Sequence, residues 1–138
     1  MYTKRQLSQF KEQSITEPIE LKNLAMSVLA KAETLSGKSK EHAIHGIARR
    51  LLVIRECLFS FFELLPPDIL LEPKNETRQK VNVNLHAFLI NVCGILDNMA
   101  WLLVYEKEPN RIRYFEKNKI KVGLFRTGFH QYLPNNWI

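Results

Sequence analysis

Apolar residues recur at helical spacing through most of the chain, and the alternating patterns of half-buried strands are nearly absent. The first stripe, Ile19, Leu21, Leu24, Ala25, Val28, Leu29, Ala32 and Leu35, follows Thr16-Glu17-Pro18. There a Thr in the N-cap position, a Pro in the first turn, and Glu17 and Glu20 at the positive end of the dipole make a start signal. Ser36-Gly37 supplies the stop, which bounds helix A. Residues 1–15 ahead of it, polar from Thr3 to Ser14 apart from Leu7 and Phe10, read as an arm or short helix. Ser39 is expected to cap helix B, where Ile44, Ile47, Leu51, Ile54, Leu58, Phe61 and Leu65 step by three or four until Pro66-Pro67 forbids continuation. The stretch from Pro66 to Glu76 holds three prolines and Ile69-Leu70-Leu71, and reads as a loop folded back and pinned to the helices. Asn75 or Thr77 caps helix C, whose stripe is Val81, Leu85, Phe88, Val92, Ile95, Met99 and Leu102, and Pro109 marks its end.

Three long helices with matching stripes predict an all-α antiparallel bundle, and 138 residues suffice for one helical domain, 1–138. A composition of 46% hydrophobic and 25% charged residues excludes a disordered or collagen-like chain. With only Cys57 and Cys93, neither a disulfide framework nor a cysteine zinc site is expected. The N-terminal residues never enter the apolar run of a secretory signal, so the cytoplasm is the expected compartment. The longest greasy run, Leu85 to Tyr105, is interrupted by His86, Asn91, Asp97 and Asn98, and reads as a buried helix and not a membrane span.

A net charge of +6 permits anionic partners without demanding them. Its distribution says more. Past Pro109 the chain becomes a basic and aromatic tail, 110–138, in which Arg111, Arg113, Lys117, Lys119, Lys121 and Arg126 face the single acid Glu116 up to residue 126, a local net of +5. Tyr114, Phe115, Phe125 and Phe129 are interleaved, and Ile120-Lys121-Val122 reads as a short extended piece. Cations that release counterions from phosphates, beside rings that stack on unpaired bases, make this segment the candidate nucleic-acid surface. The plainer reading is a solvated connector whose rings pack inward. The apolar residues and Pro134 at the very end look like the approach to another helix, so a truncated or partial C-terminal part is expected.

Helix C carries a second candidate. Asn84, Asn91, Asn98 and Tyr105 recur every seven residues, with Ala87, Gly94 and Trp101 on the same side. Asn is a mediocre helix former, and an interior Gly costs about 1 kcal/mol relative to Ala, so close approach or hydrogen bonding should offset both. Such a seam contacts a ligand or a second copy, or it is a hydrogen-bonded seam between helices B and C in which Gly94 admits a bulky side chain. Glu56 and Asp97 are a candidate carboxylate pair across the same two helices, against the plainer reading of an ion pair such as Arg49 with Glu56 or Asp97. His42 and His45, three apart beside Glu41, lack a third ligand and read as a solvated first turn of helix B; His86 and His130 stand alone. Neither a hydrolase elbow, a phosphate loop nor a zinc-protease motif is present. No catalytic residue, metal site or cofactor is assigned.

The run Leu85–Trp101, centred on Gly94-Ile95-Leu96-Asp97-Asn98-Met99-Ala100-Trp101 and followed by Lys121-Val122-Gly123-Leu124-Phe125, resembles a segment of uncharacterised bacterial proteins of HEPN-like helical type. The resemblance covers under half of the chain. It implies an all-α bundle of four or five helices, often dimeric, and in active members a metal-independent RNase with an Arg followed after four to six residues by His. This chain departs from that pattern, because three residues separate Arg126 from His130 and seven separate Arg78 from His86. The expectation is therefore a helical protein acting through protein association, as a homodimer among other forms, or through RNA contact. An RNase whose Arg/His pair is absent from this chain and a purely structural scaffold are the alternatives.

Overall fold

The computed structural model describes residues 2–126, 128, 129 and 131. All regular structure among them is helical: α1 (Lys4–Ala32), α2 (Gly37–Glu41), a π-helical segment (His42–Ala48), α3 (Arg49–Leu64), α4 (Asn75–Lys107) and α5 (Ile112–Lys117), with 3-10 turns at Pro109–Arg111 and Lys119–Lys121. The protein is all-α.

The N-terminal arm and helix A are one helix. Thr3 caps α1 in a capping box with Gln6, and Pro18 lies buried in the interior of that helix instead of at its start. The Thr16 hydroxyl donates back to the Glu12 carbonyl, a bond available only once the helix already exists. The local start signal therefore lost to continuation of a 29-residue helix along α3. Helix B begins one turn earlier than expected: Ser36 holds the extended cap position, and Ser39 is buried inside the first turn. From Gly37 the chain runs through α2, the π segment and α3 without interruption and stops before Pro66. Lys74, and neither Asn75 nor Thr77, occupies the cap position of α4.

Contacts between these elements run in opposite chain order. His42 meets Asn98 and the rings of Trp101 and Tyr105, Arg50 meets Asn91 and Gly94, and Phe61 meets Phe88, so α3 and its π extension lie antiparallel to α4. One core cluster joins Ala25 of α1 to Ile47 and Leu51, with Leu21, Val28, Ile95, Met99 and Leu102 packed around them. A second forms where the chain folds back past α4: Ala100 and Val104 pack with Phe115, Val122 and Phe129. Residues 119–121 are a 3-10 turn and not an extended piece, because burying Val122 on that cluster turns the chain.

Two apolar expectations fail. Leu70 and Leu71 are 84% and 81% exposed, so the leucines do not pin the 66–74 loop, and Asp68 reaches α1 through an exposed ion pair with Lys11. Leu85, assigned to the stripe of helix C, is exposed, because the N-terminal half of α4 faces α3 alone. By length and composition α4 is a helix that reaches membrane-spanning size, and 11% of that stretch is buried within the protein.

Candidate functional site

The π segment sets the site. A stretch wound this way is uncommon and tends to occur where a protein does something besides pack. Here it brings Gly46 so close to α4 that a Cβ on residue 46 would stand 2.7 Å from the Cβ of Asn98 and nearer still to its amide. One turn before it, His42 Nδ1 lies 2.7 Å from Asn98 Oδ1. Asn98 Nδ2 donates to the Gly94 carbonyl at 2.6 Å, which leaves Oδ1 as the acceptor and makes His42 Nδ1 the donor. In the neutral ring His42 Nε2 is then the acceptor. The ring is stacked near-parallel with Trp101 (centroids 6.3 Å apart) and Tyr105 (5.5 Å), and those two stack on each other at 5.7 Å.

Charge completes the wall. Lys38 of α2 donates to Glu116 of α5 at 2.5 Å and lies over the Tyr105 ring, while the Tyr105 hydroxyl donates to the same Glu116 oxygen at 3.3 Å. The hydrogen bond from Lys38 holds the Glu116 carboxyl below the usual range, and Glu116 with Tyr105 raises the Lys38 ammonium in turn. Burial pushes the Tyr105 hydroxyl up. These groups, with Lys119, line an open cleft of about 460 Å³. A second hollow of about 440 Å³ shares Lys38, Tyr105 and Glu116 and continues past Ser36 and Ile112. The cleft thus offers flat rings, two ammonium groups, one carboxylate and one imidazole.

The residues singled out from sequence divide between this cleft and the helix seam. Trp101 and Tyr105 line the cleft, and Asn98 sits behind it, bonded to His42. Asn91 accepts from Arg50 at 3.1 Å and donates to the Ala87 carbonyl, and Gly94 makes room for the Arg50 guanidinium, so this stretch is an α3–α4 contact. Asn84 only bonds back to the Lys80 carbonyl. Asp97 is exposed, and Glu56 pairs with its neighbour Arg55. The antiparallel register places Glu56 level with the part of α4 near Asn91 and Phe88, at least a turn from Asp97, so the carboxylate pair does not form. Neither does the alternative pair with Arg49 among the described residues. No group of three metal-binding side chains exists among them either.

In the basic segment the rings divide. Phe115 and Phe129 are buried, whereas Tyr114 and Phe125 are exposed. Arg111 lies over Tyr114 and Phe115, and Lys121 donates to the Tyr114 hydroxyl at 2.7 Å. Arg113, Lys117 and Arg126 are exposed, and Arg126 folds over Gly123. Lys119 alone of this group lines the cleft. His45 and His86 are exposed; His130, and with it the Arg126–His130 spacing and the apolar end of the tail, lies outside the described residues.

No local pattern marks Lys38 or Glu116 as cleft residues, and His42 is half-buried against α4 and not part of a solvated turn. Tyr105 in the Asn heptad marked the right face, but nothing local announces that α5 returns to it. Comparison with family models, with curated proteins and with solved structures finds no match.

Proposed function

We propose that this protein contacts single-stranded RNA, seating an unpaired nucleotide in the cleft. The observation that carries the reading is the wall of three near-parallel rings, His42, Trp101 and Tyr105, with Lys38 and Lys119 at its rim. A base extends such a stack for about 1–3 kcal/mol whatever its identity, and the ammonium groups meet the phosphate. Glu116 accepts from an exocyclic amine or is displaced from Lys38 by the phosphate. Arg113, Lys117 and Lys121 are exposed near the same end of α4 and extend the cationic track along a strand.

Anisotropy of a labelled single-stranded RNA tests it. Affinity should fall steeply with salt, Lys117, Lys119 and Lys121 changed together to Ala should flatten that slope, and Tyr105→Ala should weaken binding about 5- to 100-fold. Salt-independent binding that ignores Tyr105→Ala refutes the proposal. A second reading, RNA cleavage, draws on one observation: the bond to Asn98 leaves His42 Nε2 as an acceptor on a side chain that lines the cleft. Cleavage abolished by His42→Asn would support it, and RNA recovered intact would leave binding alone.

A further inference from the structure

Stacking on the rings of the cleft is blind to base identity, but the charged pair at the edge of the stack is not. Glu116 accepts from Lys38 Nζ and from the Tyr105 hydroxyl, and both bonds end on the same oxygen, Oε1. Among the described residues Oε2 accepts no hydrogen bond, and about a third of the side chain is in water. The Tyr105 hydroxyl lies in the plane of its ring and at the rim, so the carboxylate bonded to it stands just beyond the edge of the stacking surface. A flat group lying on Tyr105 therefore meets Glu116 with its own edge and not with its face. Lys38 Nζ stands 5.7 Å from the centroid of that ring and 2.5 Å from Oε1, which puts an ammonium beside the carboxylate on the one rim. The bond from Lys38 holds the carboxyl below the usual range, so at neutral pH it only accepts.

We infer that the cleft selects guanine among unpaired bases, with Glu116 Oε2 reading its N1–H and N2 amine and Lys38 its O6; the inference rests on the RNA contact proposed above. The rim presents a donor next to an acceptor with one oxygen free. Of the four RNA bases, guanine alone carries two adjacent donors on its Watson–Crick edge, with an acceptor beside them. Adenine and cytosine have one amine each, next to a ring nitrogen whose lone pair would face the carboxylate. Uracil has a single N–H between two carbonyls. Bonds to an ionised carboxylate are stronger than those between neutral groups, and a site built around such bonds rejects a ligand that leaves its groups unpaired. In this assignment Glu116 keeps its bond to Lys38, and Lys119, which lines the same cleft, meets the phosphate.

Anisotropy titrations of the full chain with labelled oligouridylates that differ in one central nucleotide, guanosine, inosine, adenosine or cytidine, are the test. The guanosine strand should bind about 10-fold more tightly than the adenosine or cytidine strand. Inosine lacks only the N2 amine and should lose about 5-fold against guanosine, a readout that needs no variant to fold. Glu116→Gln should bring the guanosine and adenosine strands within about 2-fold of each other, because the amide offers one acceptor where the carboxylate offered two. A Glu116 that served only to hold α5 would, once altered, weaken every strand alike and leave their ratios as they were. Equal binding of all four strands with a steep salt dependence overturns the guanine assignment and leaves RNA contact standing. Binding of none of them removes both. A preference for guanosine that survives Glu116→Gln, or one that ignores inosine, also overturns the assignment.

Discussion

Changing Gly46 to Ala separates the close approach of the π segment to α4 from ordinary helix propensity. In an unconstrained helix the change gains about 1 kcal/mol. Here the new methyl would stand 2.7 Å from the Cβ of Asn98, which cannot swing away as a side-chain tip can. Either the helices part or Asn98 leaves, with an overpacking cost of about 1–3 kcal/mol. The His42–Asn98 hydrogen bond goes with it, about 1 kcal/mol more. The net expectation is a loss of about 2 kcal/mol, or about 7 °C in Tm for a domain of this size. Gly94→Ala is the control. Its methyl would meet the Cζ, Nη1 and Nε of Arg50 at 2.5 to 2.7 Å, the far end of a long side chain that can move. Losing the Arg50–Asn91 bond costs about 1 kcal/mol and the gain in propensity offsets it, so stability should stay within about 0.5 kcal/mol of the parent. Urea unfolding followed by circular dichroism measures both variants. The reasoning is refuted if Gly46→Ala is as stable as the parent, or if Gly94→Ala is the more damaging of the two.

Pro18→Ala should stabilise by about 1 kcal/mol, since an interior Pro costs about 3 kcal/mol and the cavity left by its buried ring takes back about 2; a lower urea midpoint would contradict this. Thr3→Ala should fray the first turn of α1 at a cost of about 1 kcal/mol or less, seen as faster amide exchange confined to that turn. Folding lowers the pKa of Glu116, so the contribution of its pair with Lys38 is present above the ordinary carboxylate range and is lost as pH falls through the lowered value. Glu116→Gln should accordingly lie below the parent in stability at neutral pH and converge with it in acid. Folding raises the pKa values of Lys38 and Tyr105, so stability carried by these groups is lost as pH rises through their raised values, and a parent curve that is flat there would contradict the geometry.

Periodicity alone established the helical class, the span of α3 up to Pro66-Pro67 and the bulk of α4, because long apolar stripes at three- and four-residue spacing suit no other regular structure. Start signals were less informative. Thr16-Glu17-Pro18 is a good cap in isolation, yet a helix already propagating from Thr3 and packed along α3 tolerates one missing hydrogen bond. The Asn heptad of α4 marked a face that cannot be apolar, but whether Asn91 meets Arg50 or Asn98 meets His42 depends on the register of two helices, which no local pattern encodes. The cleft draws on residues from 38 to 119, and the return of α5 that brings Glu116 to Lys38 follows from burying Phe115, Val122 and Phe129 on the end of α4. Local sequence sets which backbone forms, through short-range hydrogen bonds and spacing. Which side chains become neighbours across about eighty residues is decided by the packing that removes the most apolar surface from water, and that choice belongs to the folded chain as a whole.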